Sequence, residues 1–554
     1  MDKPIIYQIL PRLWGNSNTV PVENGTLEEN GTGRFSDIDD AALDYFKWIG
    51  CSHLWYTGVI RHSTQATGHG CTPSHPQFVK GKSGSPYAIC DYYDVNAYLA
   101  DNPDERMAEF ENLIARTHAK GLKVIIDFVP NHVSRDYGKV NPVPGHPILG
   151  AEDDKSIHWK KENDFFYYPG EALRLPVESP SDVKPYVEFP AMATGNNCYN
   201  PCPGINDWYE TVKINYCDFH TATWDKMLDI IRFWASKGVD GFRCDMVELV
   251  PPQFFKWLIE SIKREYPSLI FIAEVYKKEL YGEYIRNIGF DYLYDKSGLY
   301  DTLRAIVEKN SADDGMPVEL WQSATGISSC WQFLGDLQPY MLNFLENHDE
   351  QRFASEFFGR DSSREMAALY TSLFLNTAPF MVYFGEEVGE KGMYKEGFSG
   401  RDGRTTIFDW WSIDSIRRLR KIIDEKAYLS LESNVLEEAG LSREEAETFV
   451  MFAKALRLAS SDAAIRKGTT YDLSYCNFSS DGFNKERHFA FLRDYEEHTL
   501  LIAVNFSSVD ANMDIVIPEH AFEWMKIARS ENLYPEKKIS VAVKAYGGTV
   551  IQLI

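Results

Sequence analysis

The chain has 554 residues, too many for one compact core, so two or three domains are predicted. Its net charge of -24 disfavours nucleic-acid and anionic-membrane partners, because like charges repel, and a neutral or cationic ligand is expected instead. No apolar run in the sequence is long enough to span a bilayer.

The N-terminus and the cysteines indicate the compartment. The first residues lead straight into strand-like sequence, without the basic and apolar segments of a signal peptide. We expect a cytoplasmic protein, or alternatively a secreted or periplasmic one whose leader was removed. Nine cysteines, an odd number, argue against a disulfide framework. Cys198, Cys202 and Cys217 suggest a bridge or a metal site, but their spacing matches no common zinc pattern.

Short apolar runs alternate with helical stretches along most of the chain. The runs predict strands over 5–13, 53–59, 124–130, 241–245, 270–275, 291–295, 341–348 and 380–386. Their residues do not alternate between apolar and polar, as is typical of strands buried on both faces. Helices are predicted between most of them, for example over 41–50, 223–237 and 251–266. The pattern favours an α/β fold, a (β/α)8 TIM barrel, with a doubly wound open sheet as the alternative.

One predicted helix has a well-marked start. Asn102 is a suitable N-cap, Pro103 occupies the first helical position and Glu105 is predicted to complete a capping box. Gly121 supplies the C-terminal stop.

Two regions do not follow the alternating pattern. About ninety residues rich in Pro, Gly and Asn separate the third strand from the next helix, and a loop of that length is usually functional or forms a small domain. After residue 459 the chain reads as short strands with turn signals, typical of an antiparallel β domain. We therefore expect a barrel over 1–132 and 219–459, an insert over 133–218 and a C-terminal β-sandwich over 460–554.

Polar and charged side chains follow the strands at their predicted carboxyl ends, where (β/α)8 barrels carry their chemistry. The third strand ends in Asp127 and runs on to Asn131 and His132, the fourth ends in Arg243 and Asp245, the fifth in Glu274, and the seventh in His348 and Asp349. Any single acid could belong to a structural ion pair. Several acids converging on one barrel mouth repel one another, so their presence together indicates a function.

Such carboxylates suit glycoside cleavage. One attacks the anomeric carbon, one protonates the leaving oxygen, and negative charge nearby stabilises the oxocarbenium-like transition state. Arg243 would keep Asp245 ionised and nucleophilic, whereas Glu274 requires a pKa raised by its acidic neighbours to act as an acid. His132 and His348 could donate hydrogen bonds to sugar hydroxyls, and a purely structural role is the alternative for each.

Four segments resemble the signature regions of the α-amylase family, glycoside hydrolase family 13. They are DFVPNH (127–132), GFRCD (241–245), AEV (273–275) and ENHD (346–349), and they occur in the family's order. YQILPRL near the start, LWYTGV at the second strand and APFMVYFGEEVG at the eighth extend the resemblance along the chain. The resemblance implies a barrel with an inserted domain B after its third strand and a C-terminal domain C.

The resemblance also implies roles for individual residues. Asp245 matches the nucleophile, Glu274 the general acid/base and Asp349 the third carboxylate, which binds sugar hydroxyls. The residues that match the substrate-binding framework are Tyr87, Asp127, His132, Arg243, His348 and Arg352. Tyr87 corresponds to the tyrosine that stacks on the sugar, whereas Asp127 corresponds to an aspartate that is usually structural.

The activity that the resemblance implies is hydrolysis of α-1,4-glucosidic links in starch-type glucans or maltooligosaccharides by double displacement. An α-glucosidase or a transglycosylase of the same family is the alternative, followed by a non-catalytic carbohydrate-binding barrel. Asn131 matches a Ca²⁺ ligand, which the backbone carbonyl of Leu249 could join. Glu248 and Leu249 depart from the Lys-His pair of many α-amylases, which weakens the Ca²⁺ prediction. No organic cofactor is expected.

Overall fold

Eight parallel strands close into a barrel in the computed structural model, which describes residues 3–139, 141–311 and 322–554. The strands are β1 (Ile5–Ile9), β2 (His53–Tyr56), β3 (Lys123–Phe128), β4 (Gly241–Cys244), β5 (Ile270–Ala273), β6 (Tyr292–Tyr294), β7 (Met341–Phe344) and β8 (Phe380–Tyr383). Each strand pairs with its neighbours in chain order, and β8 closes on β1. The predicted TIM barrel is therefore confirmed, and closure rules out the open sheet.

Helices connect and cover the strands. The longer ones are Asp40–Ile49, Arg106–Ala119, Ala222–Ser236, Pro252–Glu265, Asp301–Ser311, Thr325–Leu334, Met366–Phe374, Asp414–Asp424 and Arg443–Ser461. Their apolar faces and the strands share one large hydrophobic core. This packing makes the barrel a rigid support for the loops at its rim.

The strands end earlier than the apolar runs predict. β1 ends at Ile9 because Pro11 begins the short helix Pro11–Trp14, where a missing N–H costs nothing. β5 ends at Ala273, so Glu274 lies directly after it. β7 ends at Phe344, so His348 and Asp349 lie beyond its end. The residues beyond these ends leave the barrel wall and form its rim.

The helix after β2 begins differently from the prediction. Asn102 caps a 3₁₀ turn, Pro103–Glu105, and the α-helix Arg106–Ala119 starts only after that turn. The reciprocal partner of the cap is therefore Glu109, whose carboxylate accepts the Asn102 N–H at 2.7 Å, and not Glu105. Because of this turn, the α-helix begins at Arg106 and not at Pro103 as predicted.

The segment between β3 and the helix Ala222–Ser236 forms short antiparallel pairs. His132–Ser134 pairs with Thr211–Lys213, with His132 opposite Lys213. Tyr167–Tyr168 pairs with Ala191–Met192. The first pair returns the segment to the barrel rim. We retain 133–218 as the proposed extent of an inserted domain.

The C-terminal region contains a four-stranded antiparallel sheet and a separate strand pair. The sheet has the order Thr469–Asp472, His488–Tyr495, His498–Asn505, Gly548–Gln552, and the pair is Ala511–Val516 with Lys538–Val543. Apolar residues of both, such as Leu501 and Met513, form a second hydrophobic cluster. The proposed boundary at 459–460 falls inside the helix Arg443–Ser461, whose polar last turn resembles a loop in sequence.

Two further expectations concern membranes and thiols. Within the described ranges, no helix is both long and apolar enough to cross a bilayer. All nine cysteines are free thiols, so Cys198, Cys202 and Cys217 form no bridge.

Candidate active site

A cavity of about 260 Å³ brings together side chains from the carboxyl ends of the barrel strands. Asp245, Glu274 and Asp349 all line it. The other residues that line it are Lys80, Ser85, Tyr87, His132, Trp208, Glu210, Thr211, Met246, Tyr276, His348, Ile407 and Phe408. The three acids predicted from three different strand ends thus share one cavity.

Arg243 joins two of the acids. It is fully buried on β4, and its Nη1 lies 2.5 Å from Oδ1 of Asp245. Its Nη2 forms an ion pair with Oε1 of Glu274 at 2.8 Å. Burial raises the pKa of Asp245 well above its usual range, and the Arg243 guanidinium is the main group that opposes this rise. Both acids are therefore held by one planar cation.

Glu274 is bound through both carboxylate oxygens. Tyr276 donates its hydroxyl hydrogen to Oε1 at 2.6 Å, and the Met246 N–H donates to Oε2 at 2.8 Å. Met246 has φ of 46°, in the left-handed region that is costly for a residue with a side chain. Glu248 accepts the Tyr276 N–H at 2.6 Å and holds the turn after β5.

His348 connects Asp349 with Tyr87. Gln8 donates to Nδ1 at 3.0 Å, so the ring proton lies on Nε2. That atom lies 2.6 Å from the Tyr87 hydroxyl and 3.1 Å from Oδ2 of Asp349. Burial lowers the pKa of His348 to about 3, so the ring is neutral near pH 7. The rings of Tyr87 and His348 stack with centroids 5.1 Å apart.

Asp127 contacts Tyr87 but does not itself line the cavity. Its Oδ2 accepts the Trp55 indole N–H at 3.1 Å, and its Oδ1 accepts from the Tyr87 hydroxyl at 3.3 Å. Burial raises the pKa of Asp127 to about 6, although Arg243 opposes the rise. Asp127 holds Tyr87 in place.

His132 follows β3 and lines the cavity from the other side. Its ring packs against Trp208 with centroids 5.2 Å apart, and its Nδ1 lies 3.0 Å from the Asn131 amide nitrogen. Burial lowers the pKa of His132 to about 3.

Arg352, for which the resemblance predicts a role in substrate binding, does not line the cavity. Its guanidinium is buried and donates to Glu346 at 2.7 Å, to Thr405 at 2.8 Å and to the carbonyl of Phe384 at 2.9 Å. Glu346 is buried as well, and a buried carboxylate requires a paired cation. Arg352 serves that structural need.

Asn131 does not fit its predicted role as a Ca²⁺ ligand. The Nζ of Lys213 donates to Oδ1 of Asn131 and, at 2.8 Å, to the carbonyl oxygen of Leu249. These are the two oxygens that were expected to bind the metal. In the part of the chain that the structure describes, no group of three or more His, Cys, Asp or Glu is placed to hold a metal ion.

Several cavity residues do not belong to the motifs that predicted the site. Tyr276 lies two residues after Glu274, so its nearness to a strand end was a usable signal. Trp208, Lys80 and Phe408 come from irregular segments whose sequence carries no periodic pattern. Lys80 pairs with Glu210 at 2.9 Å.

The model of one protein family matches most of the chain. Its description is alpha amylase, catalytic domain, and the match covers residues 8–499. Neopullulanase 2 from Thermoactinomyces vulgaris is 22% identical over 408 residues, which are 70% of this chain and 57% of that protein. The chain thus spans less than two thirds of that relative.

Two further similarities differ in what they show. Amino acid transporter heavy chain SLC3A1 from Mus musculus is 25% identical over 258 residues, 44% of this chain and 29% of that protein. That match spans less than half of this chain. The ligand-free cyclic alpha-maltosyl-(1→6)-maltose hydrolase from Arthrobacter globiformis superposes with a TM-score of 0.62 at 16% identity, covering 99% of this chain and 98% of that one. This likeness supports the fold.

Proposed function

This chain belongs to the α-amylase family, and from that premise we propose that it is a retaining glycoside hydrolase that cleaves α-1,4-glucosidic links in starch-type glucans or maltooligosaccharides. The observation that carries the proposal is the single buried guanidinium of Arg243, which pairs with both Asp245 and Glu274. These two acids line one cavity together with Asp349.

The proposed reaction has two displacements. Asp245 attacks the anomeric carbon while Glu274 gives its proton to the leaving glycosidic oxygen, which forms a covalent glycosyl-enzyme. Glu274 then takes a proton from water, whose oxygen attacks the same carbon and releases Asp245. The attack requires Asp245 as carboxylate, and its bond to Arg243 favours that state against the effect of burial.

The position of the two acids favours retention of configuration. Retaining enzymes hold their carboxyl groups about 5–5.5 Å apart, whereas inverting enzymes leave a wider gap for water. Two carboxylates bound to the two terminal nitrogens of one guanidinium are constrained to be near each other.

Other residues suit the binding of a neutral sugar ring. Tyr87 presents an aromatic ring, which can stack on the apolar face of a sugar. Asp349 is the most accessible of the three acids, with 44% of its side chain exposed, so it can accept hydrogen bonds from sugar hydroxyls. The insert contributes Trp208, Glu210 and Thr211 to the cavity, so we propose that it forms one wall of the substrate site.

The alternative functions either use the same three acids or involve no catalysis. An α-glucosidase or a transglycosylase would use the same three acids and differ in chain length or acceptor. A non-catalytic barrel would have no need for two buried acids on one arginine, and their burial is costly. We also propose a cytoplasmic location, which the nine free thiols favour.

The proposal is tested with short maltooligosaccharides followed by ¹H NMR. We expect the first product to be the α-anomer, and Asp245→Asn to lower kcat by about a thousandfold or more. The matched control is Asp240→Asn. Asp240 directly precedes the first residue of β4 and does not line the cavity, so this variant should leave kcat unchanged. A β-anomeric product, or full turnover by Asp245→Asn, contradicts the proposal.

The substrate is tested separately. Soluble starch and maltotetraose are compared as substrates, with and without glucose as an added acceptor. Hydrolysis of starch to mixed oligosaccharides supports the proposal, exclusive release of glucose from short maltosides indicates an α-glucosidase, and products longer than the substrate indicate a transglycosylase.

A further inference from the structure

We propose that the side-chain amine of Lys213 takes the structural place of a metal ion between the insert and the barrel, and that it positions His132 as a hydrogen-bond donor to the substrate. Lys213 is a positioning residue in this proposal, since it does not line the cavity. The part that concerns substrate rests on the proposed function, whereas the part that concerns metal does not.

The amine joins three segments of the chain. Lys213 ends the strand Thr211–Lys213 and lies opposite His132 in the pair that returns the insert to the rim. Its Nζ contacts the Asn131 side chain after β3 and the Leu249 carbonyl after β4. Only 4% of Lys213 is exposed, so the amine is shielded from bulk solvent. A cross-link between three segments at this rim is what a bound cation would otherwise supply.

The contacts determine the orientation of the Asn131 amide. One end of that amide lies 2.8 Å from the carbonyl of Gly195, which can only accept a hydrogen bond, so that end is the NH₂ group. The other end is then the carbonyl oxygen, which faces Lys213. Burial lowers the pKa of Lys213 to about 7, but the neutral amine and the ammonium both have N–H groups for the two oxygens.

The amide in turn determines the tautomer of His132. The second hydrogen of the Asn131 NH₂ group points to Nδ1 of His132 at 3.0 Å, so Nδ1 must accept. The ring is neutral, and its one hydrogen therefore lies on Nε2. The Tyr87 backbone carbonyl already faces the ring N–H of His132. Because His132 also lines the cavity, we infer that Nε2–H is the group that it additionally offers to a sugar oxygen.

A calcium ion does not fit the same place. Ca²⁺ takes six to eight oxygen ligands, carboxylates among them. Here the two oxygens are neutral and already accept from Lys213, and no carboxylate contacts its Nζ among the described residues. A Ca²⁺ ion bound to these two oxygens would have to displace the Lys213 amine or lie directly beside it.

The metal part is tested on the purified wild-type protein. We expect no stoichiometric calcium by elemental analysis, and no change of Tm on adding EDTA or CaCl₂. Bound calcium together with a Tm that falls in EDTA and recovers with CaCl₂ would overturn the proposal, whether or not the protein has the activity proposed above.

The positioning part is tested with Lys213→Met. In protein labelled with ¹⁵N-histidine, we expect the wild-type His132 resonances, assigned with His132→Gln, to show the Nε2–H tautomer. In Lys213→Met they should show a mixture, and kcat/KM should fall about ten- to a hundredfold, as for a lost hydrogen bond to substrate. An unchanged tautomer or an unchanged kcat/KM in this variant overturns the proposal.

Lys226→Met is the matched control. Lys226 also binds the insert through its amine, in this case by an ion pair with Asp164 at 2.5 Å, and neither residue lines the cavity. This variant should lower Tm without changing the His132 tautomer or kcat/KM. Tautomer and metal readouts need no turnover, so a failure of the proposed function is distinguishable from a failure of this inference.

Discussion

Tyr276 donates its hydroxyl hydrogen to Oε1 of Glu274 across 2.6 Å, within the cavity that both residues line. The contact matters because Oε1 is also the oxygen paired with Arg243. The proposed proton donor is thus oriented by a phenol and a guanidinium from two different strand ends. Such fixed orientation is how active sites avoid reorganisation during the reaction.

Tyr276→Phe removes one of these contacts and is expected to lower kcat/KM about tenfold or more, because a hydrogen bond to a charged group contributes about 1.5–3 kcal/mol. Steady-state kinetics on a maltooligosaccharide measures the effect. Tyr284→Phe is the control, since its hydroxyl lies 3.5 Å from the Val247 carbonyl and outside the cavity. If the two variants had the same kcat/KM, Tyr276 would not position Glu274.

Asp127 should make stability depend on pH. Its pKa of about 6 in the folded protein exceeds the ordinary 3.8, so the folded state binds more protons and stability falls as pH rises from about 4 to about 6. The full effect corresponds to about 3 kcal/mol. Asp127→Asn cannot titrate, so the Tm of the wild type relative to this variant should decrease over that range. A constant difference between pH 4 and 7 would be incompatible with the raised pKa.

Arg352 is predicted to act on stability and not on substrate binding. Arg352→Met leaves the Glu346 carboxylate buried without its cation, which should cost about 3–5 kcal/mol. The double variant Arg352→Met/Glu346→Leu should recover part of the lost Tm, because no charge remains unpaired. Kinetics of the double variant should show the wild-type KM. A large rise in KM would return Arg352 to the substrate site.

Substitution of Trp208 tests whether the insert forms a wall of the cavity. Trp208→Ala removes the ring that packs on His132, and kcat/KM should fall about tenfold through loss of aromatic contact. Trp159→Ala is the matched control, because Trp159 belongs to the same insert, is 50% exposed and does not line the cavity. Similar kinetics for both variants would remove the insert from the substrate site.

The barrel and the shared position of the three acids could be predicted from local sequence. An apolar run buried on both faces predicts a parallel strand, and an acid that follows such a run must lie at the carboxyl rim once the barrel closes. Asp245, Glu274 and Asp349 are placed in one cavity by this rule, because each lies within a few residues of its strand. Only strand order and closure were needed in addition.

The partners of these residues were decided by the tertiary structure. Arg352 was expected at the substrate and instead pairs with Glu346, and Lys213 took the two oxygens that were expected to bind calcium. Both outcomes depend on which buried polar groups meet when distant segments fold together, since each must find a partner away from water. Local sequence determines on which rim a side chain lies, whereas the pairing of buried charges depends on contacts between segments far apart in the chain.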